Sequence, residues 1–456
     1  MQRIPLPFIS PAAVARRVDV ESDLAWLDGE LSSSRFARWS YLATAPASRL
    51  EVREHSVRLD GARVDGGVFE HLRARIDSSS TQPQERPDAP FAGAWMGYFA
   101  YRFAETLLPW RSRHENPGDK PLAEFNYYPA LLRFDHRANT CELVVADNAT
   151  SSRLAADALL AAYEKALATM GAPEPITVNL PWELTEDRCA HIGRVNAAKR
   201  YIASGDIYQA NLALAFRAKL PTATSFSPFN HHCMVRRRNP APFSAYLAFP
   251  GRNISSTSPE RFFSVSPTGL VETRPIKGTI RASVDADEDN RLKQQLLNSE
   301  KDRAENIMIV DLLRNDLSKV CQPFTVKVPE LVVLESYEGL HHLVSSVTGQ
   351  LKQGHDCMDL IAAAFPGGSI TGAPKLRSME IIDELETSDR GVFCGAIGYI
   401  GANGAADFNV AIRTIEYDDD GAQLRAGGGI TNLSDPQQEF EEALIKASRL
   451  TGGRQA

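Results

Sequence analysis

Apolar residues in this chain follow two periods. Short runs rich in apolar or aromatic residues occur at 35–41, 93–101 (GAWMGYFAY), 130–134, 262–265, 331–337 and 392–400, and these have the length and content of strands. Longer stretches with apolar positions three and four apart predict helices over 151–170, 291–317 and 436–450. In the last of these, Asp435 can cap the start and Pro436 suits the first turn. Phe440, Ala443, Leu444, Ala447 and Thr451 then share one side at about 100° per residue. Strands outnumber what a regular βαβ repeat supplies, and no repeat of fixed period is present, so an α+β fold on largely antiparallel sheets is expected. Residues 78–90 (SSSTQPQERPDAP) read as an exposed loop and 171–181 (GAPEPITVNLP) as a linker. They separate a region over 1–170 from one over 185–452, and the two are expected to interleave in one globule.

Composition removes several classes of function. The chain has 456 residues, 43% hydrophobic and 23% charged, with net charge −7. Its longest basic run, Arg236-Arg237-Arg238, is too short for a nucleic-acid footprint, and nucleic acid is not an expected partner. No run reaches the length of a membrane span, and the N-terminus lacks the apolar core of a signal peptide. The six cysteines are scattered, with no C-x-x-C pair, which suits a reducing compartment better than a zinc site or disulfide framework. A cytoplasmic protein without membrane contact is expected.

Several short patterns carry chemistry only in combination. Beside the apolar side of the C-terminal helix, Glu439, Glu442 and Lys446 form a stripe. Two carboxylates there can hold a hard cation, or the stripe can be solvated, with a Glu442–Lys446 pair worth roughly a few tenths of a kcal/mol. In SEKDRAENIMIVDLLRND, Asp302 and Glu305 share a helix face, while Ser299 and Asp302 also match a capping box. Two such acidic pairs favour a metal, because Mg²⁺ is usually held by one or two carboxylates with substrate oxygens and water. TRPIKGTI sets Lys277 beside Gly278 and Thr279; a lysine there is either solvated or, once desolvated, a nucleophile. The glycine-rich segments 365–375 and 426–430 are either plain turns or donors of backbone N–H groups to carboxylates, and neither has P-loop spacing.

Taken together, GDIYQANLALAF (205–216), RNPAPFSAYL (238–247), STSPERF (256–262), TRPIKGT (273–279), KDRAENIMIVDLLRNDL (301–317), HHLVSSVTG (341–349), FPGGSITGAPK (365–375), GAIGYI (395–400), FNVAIRT (408–414), GGGI (427–430) and EFEEALIKA (439–447) run in the order found in the chorismate-utilising enzymes. The chain resembles that family over nearly all of 190–450, and more loosely through GAWMGYFAYRFAE in its N-terminal third. The resemblance implies large antiparallel sheets packed face to face with helices outside. It implies Mg²⁺ on Glu305 and Glu442, with Asp302 and Glu439 reaching the metal through water. Glu260 matches the acid that protonates the leaving C4 hydroxyl, and His342 the histidine near the ring. Gly278, Thr279, Arg413, Gly428 and Gly429 match the binders of the substrate carboxylates.

Two positions bear on the product. Gln209 stands where relatives that make isochorismate or salicylate carry a water-activating lysine. Lys277 stands where relatives that make anthranilate have alanine; in the lysine-bearing subgroup that lysine attacks C2 and ammonia then attacks C4. The resemblance therefore implies 4-amino-4-deoxychorismate, on the route to p-aminobenzoate and folate, with anthranilate as the alternative. Phe393 and Arg102 depart from the family pattern, replacing a carboxylate-binding tyrosine and an acid found in many relatives, and Ser40 is the one candidate for an N-terminal effector motif. No cysteine has the G-x-C-x-G setting of a class I glutaminase, so ammonia is expected from a glutamine amidotransferase subunit.

Overall fold

Burial on both faces explains the continuous apolar runs. The computed structural model describes residues 1–18, 23–30, 37–76, 91–116, 118–169, 179–221, 226–337 and 339–453. Within it, strand Ala94–Phe99 is buried at every position. Successive side chains of a strand point to opposite faces, so Ala94, Met96 and Tyr98 enter one core while Trp95 and Phe99 enter another. Strand Ala130–Asp135 behaves alike, sending Leu131 into the first of these cores and Leu132 and Phe134 into a third.

The strands form two 12-stranded sheets, and every pairing described is antiparallel. N-terminal strands join later ones in both. In the first sheet Ala25–Asp28 pairs with Phe243–Phe249, and in the second Ala94–Phe99 pairs with Ala396–Gly401. Ala25, Tyr41, Leu247 and Ile254 of the first sheet pack against Met96, Tyr98 and Ile397 of the second, so the sheets lie face to face. Helices cover the outer faces. Thr150–Ala168 packs Leu159 and Tyr163 near Leu132 and Phe134, and Glu300–Val320 packs Ile309 and Leu313 near Phe263 and Val347. Pro436–Thr451 lays Phe440, Ala443 and Ala447 against Leu214, Leu424 and Ala426. This is the α+β architecture expected. No helix among the described residues is long and apolar enough to cross a membrane.

The structure differs from the sequence expectation at three elements. The helix expected over 291–317 is two, Ala286–Leu297 and Glu300–Val320. Between them Ser299 takes extended backbone, and its hydroxyl accepts the Asp302 N–H. A cap satisfies a first-turn donor by leaving the helical conformation, which ends any helix running into it. The strand expected from 392 begins at Ala396, because Gly391 and Cys394 turn the chain at φ 59° and 64°. The strand expected over 35–41 is Trp39–Ala43; residues 35–36, the loop at 78–90 and linker residues 171–178 lie outside the described residues.

Candidate active site

Strand Ile276–Arg281 carries Lys277 into a cleft because its register against Leu340–Gln350 slips between Ile276 and Thr279. Such a slip re-aims a side chain. Gly278 lies within it at φ 82°, and a Cβ there would come within 2.9 Å of the Asp302 Cβ, so glycine lets the strand approach the Glu300–Val320 helix. Lys277 is half-buried and donates to the Ser369 carbonyl at 3.1 Å. Burial pulls its pKa below the ordinary lysine value, against the attraction of Glu305, Glu260 and Glu442 for its charge. Glu260 is 5% exposed. Burial pushes its carboxyl up to about 7, although the Ser369 hydroxyl, the Lys277 charge and the Ile276 N–H favour the anion. An acid inclined to keep its proton thus faces an amine inclined to lose one, with Ser369 touching both.

Around this pair the strands supply unengaged polar groups. Gln209 is fully buried at the start of Gln209–Ala218, and neither its amide oxygen nor its nitrogen has a hydrogen-bond partner among the described residues. A Cβ on Gly429 would collide with the Gln209 amide and lie 3.4 Å from the Lys277 Nζ. A Cβ on Gly428 would lie 3.4 Å from Glu439 Oε2, 3.5 Å from Lys446 Nζ and 3.7 Å from Glu442 Oε1. The glycine strand therefore runs directly beneath the acidic stripe of the C-terminal helix. Thr279 Oγ1 bonds His342 Nδ1 at 2.8 Å. Burial, with Arg413 and Arg449 adding to it, pulls the His342 pKa down to about 3, so the imidazole is neutral. Arg413, at φ 51°, donates to Asn239 Oδ1 at 3.3 Å and forms no ion pair among the described residues. Burial and Arg449 lower its pKa to about 10, which leaves it charged at neutral pH and free to receive an anion.

The two acidic stripes face one another, but they form no ready-made cage. Among the described residues no three His, Cys, Asp or Glu side chains converge as a metal site. Lysines stand between the acids: Lys301 lies 3.4 Å from Glu439 Oε1, and Lys446 lies 2.7 Å from Glu442 Oε1 and 2.8 Å from the Gly427 carbonyl. Ser299 donates to Asp302 Oδ2 at 2.5 Å while capping the helix, so the capping role and the acidic stripe coexist. Glu305 Oε1 is buried without a hydrogen-bond partner. Burial raises the Glu305 pKa against Lys277 and Lys301; at Glu442 burial is outweighed by Lys446 together with Lys301 and Lys277, and the pKa falls. An orphaned carboxylate oxygen opposite a second acidic helix suits a hard cation that completes its shell with water and substrate oxygens.

The structure brings together Lys277, Glu260, Gln209, Gly278, Thr279, His342, Arg413, Gly428, Gly429, Asp302, Glu305, Glu439 and Glu442 along the strand ends beneath the Glu300–Val320 and Pro436–Thr451 helices. Ser369, Asn239, Lys301 and Arg449 escape the sequence reading as site residues. Ser369 carries a usable signal, since it lies inside FPGGSITGAPK; Asn239 is placed only by tertiary contact. Ser40 is engaged with Asp28 Oδ1 and His136 Nε2, both at 2.7 Å. Arg102 is buried on Glu105 at 2.7 Å, and Phe393 lies under Arg390. A separate cavity of about 100 Å³, lined by Asp28, Trp39, Tyr41, Arg261, Tyr399 and Asp407 among others, contains none of the candidate residues.

Residues 31–452 match the chorismate binding enzyme family. The chain is 36% identical to aminodeoxychorismate synthase component 1 of Salmonella typhimurium, across 91% of this chain and 89% of that protein. It is 37% identical to the protein of the same name from Escherichia coli, across 83% of this chain and 81% of that one. The crystal structure of anthranilate synthase component I from Streptococcus pneumoniae superposes with a TM-score of 0.78 at 29% identity, covering 97% of each chain. With a family match across nearly its whole length, this chain belongs to the chorismate-binding enzymes.

Proposed function

We propose that this chain is the chorismate-aminating component of an aminodeoxychorismate synthase, forming 4-amino-4-deoxychorismate and water from chorismate and ammonia for the p-aminobenzoate branch of folate synthesis. The curated relatives carry that name. The observation that carries the reading is Lys277, its charge disfavoured by burial, facing a Glu260 whose pKa rises to about 7. By the resemblance described for the sequence, anthranilate-forming relatives have alanine at this position.

In the first half-reaction the neutral Lys277 amine bonds to C2, the ring double bonds shift, and the C4–O bond breaks. Glu260 gives its proton to the departing oxygen, which leaves as water. In the second, ammonia bonds to C4 and the C2–Nζ bond breaks; the electron pair returns to Lys277, and the Glu260 carboxylate takes the surplus proton from the new ammonium. Gln209 and Ser369 offer polar groups beside the reacting edge of the ring, and Arg413 offers a charge to the side-chain carboxylate. His342 is neutral, so it orients through Thr279 rather than donating a proton.

Mg²⁺ is the cofactor we assign, with Glu305 and Glu442 as its ligands and Asp302 and Glu439 acting through water; when bound it supplies positive charge to the ring carboxylate. The relatives' component naming points to a second component, which we assign as a glutamine amidotransferase subunit that supplies ammonia. We read 1–170 and 185–452 as interleaved regions of one globule, a reading supported by the strands both contribute to each sheet. The cytoplasmic assignment rests on unpaired cysteines suited to a reducing compartment. Incubating the purified chain with chorismate, Mg²⁺ and ammonium, then separating products by chromatography, tests the function. 4-Amino-4-deoxychorismate is expected, and none should form from glutamine without the partner. Anthranilate as the main product would replace this reading with the alternative.

A further inference from the structure

Lys301 occupies the first turn of the Glu300–Val320 helix, one residue before Asp302 and one helical turn before Glu305. Its Nζ lies 3.4 Å from Glu439 Oε1 and 4.0 Å from Glu305 Oε1. One ammonium therefore bridges the two helices that bear the acidic stripes. Carboxylates gathered in a half-buried cleft repel one another, and a compact point charge between them relieves that repulsion.

The three lysines of the cleft are not held alike. Lys446 is tied to the Gly427 carbonyl as well as to Glu442, and Lys277 is tied to the Ser369 carbonyl. Lys301 has only Glu439 and Glu305 within ion-pair distance among the described residues, with the Glu442 charge acting on it from farther off. Its side chain is 37% exposed, so it can leave for water without stranding a buried charge. Glu305 Oε1, the oxygen nearest Lys301 on that helix, lacks a hydrogen bond and remains available to a stronger cation.

We infer that Lys301 is a built-in competitor of the divalent cation: its ammonium holds Glu439 and Glu305, and metal binding requires it to swing out to solvent. The inference rests on the metal reading given under the proposed function. Such an arrangement keeps the two helices together whatever the metal supply, and it sets metal affinity below what the carboxylates alone would give. Substrate, which brings its own oxygens to the cation, then tips the exchange towards the metal.

The test is isothermal titration calorimetry of Mg²⁺ into the full chain without chorismate, at fixed ionic strength. Lys301→Met and Lys301→Gln should both bind Mg²⁺ roughly two- to fivefold more tightly than wild type, the upper span of one partly exposed ion pair. Lys301→Arg, which keeps the charge, should stay near the wild-type affinity. Unchanged or weaker binding by the Met and Gln variants overturns the inference, as does equally tightened binding by the Arg variant. Glu305→Gln separates this failure from that of the metal reading. If Glu305→Gln binds Mg²⁺ as wild type does, the metal assignment falls and the competition falls with it. If it loses Mg²⁺ while Lys301→Met gains nothing, the metal site stands and only the competitor role is lost.

Discussion

Glu260 and Glu386 are both buried, at 5% and 2% exposure, yet their carboxyls are driven in opposite directions. Glu386 follows the Lys375–Leu385 helix and receives Arg390 through two parallel bonds, at 2.9 and 2.7 Å, together with the Ala213 N–H at 3.0 Å. Arg425 stands 3.6 Å away, and the remaining Arg390 donors reach the Ile370 and Asn211 carbonyls. Burial alone would raise the Glu386 pKa, but Arg390, Arg425 and Arg194 outweigh it and the value falls. Against burial Glu260 has one shared serine, one lysine whose own charge is disfavoured and the Ile276 N–H, and burial wins. In this saturated cluster both Glu386 carboxylate oxygens are bonded and the charge is over-compensated. The under-supplied one keeps a movable proton, as a general acid must.

The largest expected effect is at the amine of the under-supplied cluster. Lys277→Ala should reduce formation of 4-amino-4-deoxychorismate on the order of 10⁴-fold or more, the scale of losing a nucleophile. Mass spectrometry of wild-type enzyme quenched in turnover should show a chorismate-derived adduct on the peptide containing Lys277. Wild-type turnover by the alanine variant would end the covalent route.

Next comes the acid. Glu260→Gln should cost about 10²–10⁴-fold in turnover with little change in chorismate binding. Wild-type activity should fall above about pH 7 as Glu260 loses its proton, and that limb should be absent from the residual activity of the variant. A carboxyl raised from 4.5 to about 7 is stabilising below its ordinary value, and that stabilisation disappears as pH climbs through about 7. Glu260→Gln should therefore melt higher than wild type at pH 8, by up to about 3 kcal/mol in stability, and not at pH 4. A variant that is both inactive and less stable at pH 8 would mean that Glu260 serves the fold, as Glu386 does.

The contrast also marks what the sequence makes legible. Lys277, Glu260 and the acidic stripes lie in short ordered blocks whose resemblance to a family carries their identity, and Asp302/Glu305 and Glu439/Glu442 repeat at helical spacing. Strand Ala94–Phe99, buried on both faces, announces itself as an unbroken apolar run, whereas Ala123–Tyr128, equally buried, carries Glu124 and Asn126 and does not. Glu386 could not be found this way: its partners Arg194, Ala213 and Arg425 are distant in sequence, and nothing local in ELETSDRG distinguishes a buried ion pair from a solvated one. The same limit hides Lys301, whose role depends on a Glu439 contributed by another helix. The split of the helix expected over 291–317 was encoded in the capping-box match of Ser299 and Asp302, which the apolar period running through it masked.

Breaking the saturated cluster should have a different signature. Glu386→Gln leaves Arg390 buried without its counter-charge, at a cost of about 3–5 kcal/mol. Because the Glu386 pKa is lowered, its stabilising contribution is present above the ordinary value of 4.5 and lost as pH falls through the lower folded value. Urea unfolding should thus show a large gap between variant and wild type at pH 7 that narrows under acid, while turnover per folded molecule changes by only a few-fold. A loss of turnover as deep as that of Glu260→Gln, without loss of stability, would erase the distinction between the two clusters.

The smallest expected effect probes the open side of the cleft. A methyl on Gly428 would meet Glu439, Lys446 and Glu442 at 3.4–3.7 Å, ordinary van der Waals contact, so Gly428→Ala should fold with near-unchanged stability. The same methyl projects between the glycine strand and the acidic stripe, where the proposed function puts a substrate carboxylate and its cation. Chorismate KM should rise about tenfold or more, the effect of one surplus carbon in a fitted pocket, while kcat changes less. Gly429→Ala makes the informative partner. Its methyl collides with the Gln209 amide and approaches the Lys277 Nζ at 3.4 Å, so it should depress kcat as well as raise KM. If both alanines leave KM at the wild-type value, the glycine run is a strand detail rather than a carboxylate cradle. The substrate would then have to be held from the Arg413 side alone.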